Sequence, residues 1–255
     1  MFSVSCRGLV KQFNEAAPAQ GITFEFAAGE ITSIVGESGC GKTTLLRMIA
    51  GLEVPDAGSV EYVADRSMCG NKNPVISMVF QEPRLFPWLT ARENIALAVR
   101  GKPLQEQQQL IDETLQTVGL SAAADKYPHE LSGGMAQRVG MARALCRHPD
   151  ILLLDEAFSA LDALTREKLR AEFISIASKR AMTTILVTHD VPEAVMLSQT
   201  VCKLKDGAIE KVWSIDAPYP RTIGMPGLAT LADEILQSFF RSRQQKRPEA
   251  PAVDI

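Results

Sequence analysis

Apolar and polar residues alternate from Val4 to Phe13 and again from Ile22 to Phe26, where the chain meets the Gly29-Glu30 turn. A period of two puts successive side chains on opposite faces of a strand, so this segment predicts a small antiparallel β region. The pattern changes at residues 31–35, ITSIV, an apolar β-branched run that reads as a strand buried on both faces. A glycine-rich turn and the helical TTLLRMIAG follow, closed by Gly51; a strand around 60–63 and another, VISMVF, then lead to Gln81. From Glu82 to about Pro149 helical spacing dominates, with Ile111, Leu115 and Val118 on one face. The β signal returns at ILLLD (151–155), followed by a helix over about 165–179 and the strand TTILVT (183–188). The next helix is opened by Asp190 with Glu193 three residues on, an acidic N-cap signature. Near the end, Leu228, Leu231, Ile235 and Phe239 share a helical face suited to a core.

Strands alternating with helices predict an α/β fold with a mostly parallel sheet covered on both faces. The expected organisation is a single unit: an α/β core with its β region over 1–81 and 150–225, an inserted helical subdomain over 82–149, and a C-terminal helix and tail over 226–255. The composition agrees, with 46% hydrophobic and 22% charged residues in 255. No apolar run approaches the roughly 18–20 residues that span a bilayer. The N-terminus, MFSVSCRGLVKQF, has no secretory pattern, so a soluble chain working in the cytoplasm is expected. A net charge of −3 gives no general attraction to nucleic acid. The basic cluster Arg241, Arg243, Lys246 and Arg247 reads as a solvated chain end. Cys6, Cys40, Cys69, Cys146 and Cys202 lack metal-site spacing and read as reduced thiols.

Residues 36–44, GESGCGKTT, match the phosphate-binding pattern G-x-x-x-x-G-K-[ST] between a buried strand and a helix. Gly36, Glu37, Ser38, Gly39, Cys40, Gly41, Lys42, Thr43 and Thr44 therefore form a candidate P-loop. Its backbone N–H groups and helix end would hold a triphosphate, with Lys42 at the β and γ phosphates and the Thr43 hydroxyl on Mg2+. At the end of a neighbouring buried strand, Asp155 fits a Mg2+ partner through water, and Glu156 is placed to orient or deprotonate the attacking water. His189 ends ILVTH, where the next parallel strand would finish, and could bond the γ phosphate and that water; His129 and His148 read as structural. Gln81 follows VISMVF and offers both donor and acceptor to Mg2+ or water. Beyond it, EPRLFPWLTARENI presents Leu85, Phe86, Trp88 and Leu89 on a proline-punctuated loop. That loop is either a partner surface or folds back onto the helical subdomain.

With the P-loop, Gln81, LSGGMAQR (131–138), ILLLDE (151–156), SALD (159–162) and His189 in this order, the chain resembles the ATP-binding subunit of ABC transporters over nearly its whole length. The resemblance implies ATP and Mg2+ as ligands and a second copy of the chain packed head to tail. In that arrangement Ser132, Gly133 and Gly134 reach a γ phosphate held by the partner, and Asp162 crosses the same interface. It also implies integral membrane permease subunits, an extracytoplasmic solute-binding protein, and a place on the inner face of the membrane. VFQEPRLFPWLTARENIAL, LSGGM and DEAFSALDALTREKL look most like ATPases of the nitrate, sulfonate and taurine importers. Phe13 stands where that family often has an adenine-stacking tyrosine; it can offer a π face or be an ordinary strand phenylalanine. Ala136, Gly140, Ala157 and Ser159 also depart from the subgroup's pattern, at positions that touch no phosphate.

Two other classes fit less of the chain. One is a soluble ABC-type ATPase without a permease, for DNA repair, ribosome action or cluster assembly: a DNA-repair head would need a coiled coil between Gln81 and Leu131, and the interval has no sustained heptad, while a ribosome-acting one would carry two cassettes. A P-loop small-molecule kinase leaves LSGG and His189 unexplained.

Overall fold

The computed structural model describes residues 1–13, 16–64, 73–159 and 161–245, with side chains throughout except at 16 and 241–245. Cys69, Lys246, Arg247 and the side chains of Arg241 and Arg243 lie outside the described residues.

Strands β1 (Phe2–Phe13) and β2 (Ala16–Phe26) pair antiparallel. After β3 (Ile31–Val35) and α1 (Lys42–Ile49), the chain returns as β4 (Ala57–Ala64) on the other side of β1. The expected alternation holds as far as Leu9 with one interruption and lapses beyond it, where the register shifts twice more and Gln12 and Phe13 are both exposed. Phe2, Val4 and Cys6 are buried, and a register shift after Cys6 turns Leu9 inward again. Gly8, at φ 59°, absorbs that bulge in the left-handed region, where a side chain is strained.

The second sheet adds β5 (Ile76–Val79), β6 (Ile151–Asp155), β7 (Thr183–Val187), β8 (Thr200–Lys205) and β9 (Ala208–Ser214), in the order β5-β6-β7-β3-β8-β9. All its pairings are parallel except the closing β8–β9 hairpin. Every residue of β3, β6 and β7 is buried, because the sheet is covered on both faces. Ile151, Leu153, Ile185 and Val187 pack against α1 and the antiparallel sheet, whereas Leu152, Leu154 and Leu186 pack against α5 (Ala163–Arg180). Burying such side chains contributes roughly 1.5–3 kcal/mol each.

The inserted helical subdomain has its own core. Its helices α2 (Ala91–Ala96), α3 (Leu104–Thr117) and α4 (Gly133–Leu145) meet at Ile95, Ile111, Leu115, Val118 and Val139. At the far edge, α6 (Val191–Leu197) and α7 (Leu228–Gln245) close over Val201 and Trp213. The predicted apolar face of α7 is the packed one: Leu228 and Ile235 are buried, Leu231 and Phe239 half-buried. No helix among the described residues is long and apolar enough to cross a membrane. One expectation changes: β7, and not β6, is the immediate neighbour of β3 on the Asp155 side.

Candidate functional site

The site begins where β3 ends. Gly39 (φ 81°) and Gly41 (φ 105°) adopt left-handed backbone, and a Cβ on Gly41 would overlap the Pro18 carbonyl oxygen of β2. Only glycine fits there, and the resulting turn delivers the chain into α1 with its first N–H groups unpaired within the helix. Those groups and the helix dipole make the loop electropositive. Lys42 folds back over it, its Nζ donating to the carbonyl oxygens of Gly36 and Glu37 at 2.8 Å each. One residue on, Thr43 Oγ1 donates to Asp155 Oδ1 at 3.0 Å, although a whole strand separates β3 from β6. Burial raises the Asp155 carboxyl above its ordinary range, and the Thr43 bond acts against that rise.

Three strand ends face this loop. Glu156 directly follows β6 with φ 48°, a conformation that costs a non-glycine residue about 1–3 kcal/mol. The turn is held by Glu156 N donating to Val187 O at 2.9 Å and by Ser159 Oγ donating to Glu156 O at 2.8 Å. Its Oε2 accepts from Gln81 Nε2, beyond β5, at 3.4 Å, and lies 3.1 Å from His189 Nδ1, beyond β7. The loop from Ser38 to Thr44, apart from Cys40, lines a cleft of about 450 Å3 that is completed by Pro18, Gln81, Glu156 and His189. Asp155 sits beneath it on Thr43. A neighbouring cavity of about 560 Å3 is larger, but it lies behind Glu37–Cys40 against Phe239 and contains neither Glu156 nor His189. Phe13 is not part of the cleft lining; it is 44% exposed, with Lys11 Nζ 5.1 Å from its ring centre.

The remaining predicted residues are elsewhere. Ser132 caps α4, its Oγ accepting from Met135 N at 3.2 Å, and Ser132 and Gly133 are exposed. Gly134 faces Leu161 and Thr165 at the start of α5. Asp162 caps α5 through Oδ1, which accepts from Thr165 N at 3.0 Å; that bond holds its carboxyl below the ordinary range. None of these residues lines the cleft. Apart from Phe13, the predicted set thus sorts into two clusters: the P-loop with Gln81, Asp155, Glu156 and His189, and a largely exposed face carrying Ser132, Gly133, Gly134 and Asp162.

The proline-punctuated loop divides between its two sequence readings. Phe86 and Trp88 are exposed, Trp88 at 69%, with ring centres 5.4 Å apart, while Leu85 and Leu89 are half-buried and Leu85 packs on the helical core. The loop is fixed by Asn94 of α2, a residue that no sequence pattern singles out. Asn94 is fully buried; its Oδ1 accepts from Phe86 N at 2.9 Å, and its Nδ2 donates to the carbonyls of Phe86, Leu89 and Thr90 at 3.2, 2.9 and 3.0 Å. Asn94→Ala takes the partner from Phe86 N and Leu89 O, while the Phe86 and Thr90 carbonyls keep backbone donors, and is expected to cost about 2–3 kcal/mol in urea unfolding. A loss below about 0.5 kcal/mol would mean that the loop holds its own shape.

The family model described as ABC transporter matches residues 19–159. The bicarbonate transport ATP-binding protein CmpC of Synechococcus elongatus is 43% identical over 251 residues, covering 94% of this chain and 38% of that protein. The chain thus spans well under half the length of that relative. The aliphatic sulfonates import ATP-binding protein SsuB of Bacillus subtilis is 40% identical over 255 residues, covering 98% of each. Among solved structures, the dimeric post-hydrolysis state of the ATP-binding cassette MJ0796 bound to ADP and Pi is similar with a TM-score of 0.74 and 31% identity, over 84% of this chain and 100% of that one.

Proposed function

The chain belongs to the ABC transporter family, and on that premise we propose that it is the ATP-binding and ATP-hydrolysing subunit of a bacterial importer for a small solute. The names of its relatives, bicarbonate and aliphatic sulfonate proteins, point to a small anion. One observation carries the ATPase reading. The P-loop, Gln81, Glu156 and His189 share one cleft, while Ser132, Gly133 and Asp162 lie exposed outside it, with Gly134 half-buried beside them. Each copy would hold half of two sites, so a second copy, packed head to tail, would bring its Ser132, Gly133, Gly134 and Asp162 to the nucleotide on the first.

Each residue has a task in that reading. The backbone N–H groups from Gly36 to Thr44 and the Lys42 ammonium bind the triphosphate, and Phe13 offers its exposed ring to the adenine. Thr43, Gln81 and Asp155 present hydroxyl, amide and carboxylate oxygens, a donor set that suits a hard cation, and they would hold Mg2+, with Asp155 acting through water. Mg2+, when bound, neutralises charge on the phosphate oxygens. Glu156 accepts the proton of the attacking water at its carboxylate, Gln81 orients that water, and His189 holds water and γ phosphate in line. The absence of a membrane-spanning helix among the described residues fits a cytoplasmic subunit seated peripherally on a separate permease.

Light scattering of the chain with and without MgATP tests the pairing: dimerisation that depends on nucleotide is expected, and a monomer at saturating MgATP counts against it. The exposed Phe86–Trp88 pair is the surface assigned to the permease. Trp88→Glu is expected to lower solute uptake by more than about tenfold, as for a central interface aromatic. Hydrolysis by the isolated subunit should stay within about twofold, since Trp88 is outside the cleft. Normal uptake would remove this surface from the interface.

A further inference from the structure

Behind the cleft lies a buried ion cluster centred on Arg170, in the third turn of α5. Its side chain is 7% exposed, and its guanidinium serves three carboxylates. Nε donates to Glu193 Oε1 at 3.0 Å and Nη2 donates to the same oxygen; Nη2 also reaches Asp190 Oδ2 at 3.3 Å, and Nη1 reaches Glu167 Oε1 at 2.9 Å. The Glu193 side chain is only 4% exposed. A carboxylate buried to that degree is strongly destabilised without its cation, so this geometry is tightly held. Arg170 is therefore a fixed bracket between α5 and α6.

What the bracket holds is the segment that carries His189. Asp190, the next residue, caps α6 with Oδ1 on Glu193 N at 3.0 Å and offers its other oxygen to Arg170. The Asp190 N–H is itself bonded to Thr188 Oγ1 at 3.0 Å. His189 lies between these two anchors, 64% exposed, and among the described residues its ring hydrogen-bonds only to Glu156. With most of the imidazole exposed, its aim depends on the backbone that Asp190 fixes. The other end of α5 starts at Asp162, eight residues before Arg170, which at 1.5 Å per residue is about 12 Å along one rigid helix.

We propose that Arg170 is a positioning residue for hydrolysis: it ties the Asp162 helix to the α6 cap and thereby aims His189 at Glu156 and the reacting water. The inference rests on the ATPase reading above for its kinetic arm and on the structure alone for its spectroscopic arm. Arg170→Lys keeps the charge but loses the planar fork that reaches Glu193 and Asp190 together. The variant should lower kcat about 10- to 100-fold, the scale of a misplaced catalytic group, with KM for ATP within about twofold because the P-loop is untouched.

The nucleotide-free chain has three histidines, His129, His148 and His189, each observable as a separate ring signal in 15N-labelled protein. Arg170→Lys should move the His189 signal and leave His129 and His148 in place, which a general loosening of the fold would not do. Unchanged His189 ring shifts, or a fall in kcat matched by the loss of folded protein in a thermal melt, would overturn the proposal. If Arg170→Lys does not fold, Asp190→Asn keeps a good cap while weakening the Arg170 contact, and the same selective His189 shift is expected. A wild-type chain that lacks hydrolysis would overturn the ATPase reading and leave the His189 spectrum to decide the bracket.

Discussion

Glu156→Gln is expected to reduce ATP turnover by about 100- to 10,000-fold, or roughly 3–5 kcal/mol of barrier, while ATP still binds. The substitution removes the proton-accepting carboxylate and almost nothing else. Glutamine has the same length and keeps an oxygen that can accept from Gln81 Nε2 and face His189, as Oε2 does now. The Glu156 main chain is anchored through Val187 O and Ser159, so the left-handed turn does not depend on the charge. Lys42, Thr43 and the P-loop backbone are untouched. Phosphate release should collapse while nucleotide affinity stays within about threefold, and the unhydrolysed complex should accumulate as a dimer in size-exclusion chromatography with MgATP. Turnover at the wild-type rate would mean that another group takes the proton and that the His189–Glu156 contact has a different purpose.

Much of this site was legible in the sequence because it sits where patterns change abruptly. Residues 31–35, 151–155 and 183–187 are rich in aliphatic and β-branched side chains and buried throughout, and they lead into Gly36, Glu156 and, two residues on, His189. The same uniformity hides their order. A strand buried on both faces carries no mark of its neighbours, so ILLLD could have flanked β3 as well as β7 does. The P-loop still meets Asp155, because Thr43 spans the gap. The β8–β9 hairpin went unread although its signal was present: Asp206 and Gly207, at φ 46° and 74°, form the two-residue turn that Asp-Gly favours. Arg170 was illegible for another reason. Its partner Glu167 lies one helical turn away, but Glu193 is 23 positions on and meets it only after β7 intervenes. Asn94 looked like any polar residue in a short helix until the loop closed around it.

Ser132→Arg should abolish hydrolysis and leave ATP binding to the chain's own P-loop within about twofold, because Ser132 does not line the cleft. In place, Ser132 is a helix cap, and losing it costs about 1 kcal/mol, well short of unfolding the domain. A stability effect of that size cannot account for a loss of turnover. The bulk and charge of arginine would instead stand on the exposed face where a second copy must approach, in front of the first-turn N–H groups of α4. The sharper form of the experiment mixes two inactive variants, Ser132→Arg and Lys42→Ala. In a mixed dimer, one nucleotide lies between the intact P-loop of the first chain and the intact Ser132 face of the second, and the other site carries both lesions. Recovery of hydrolysis on mixing is expected, and two chains with self-contained sites could not produce it. Wild-type turnover by Ser132→Arg alone would make the LSGG segment a structural cap and leave the cleft formed by residues 38–44, Gln81, Glu156 and His189 as a complete site in one chain.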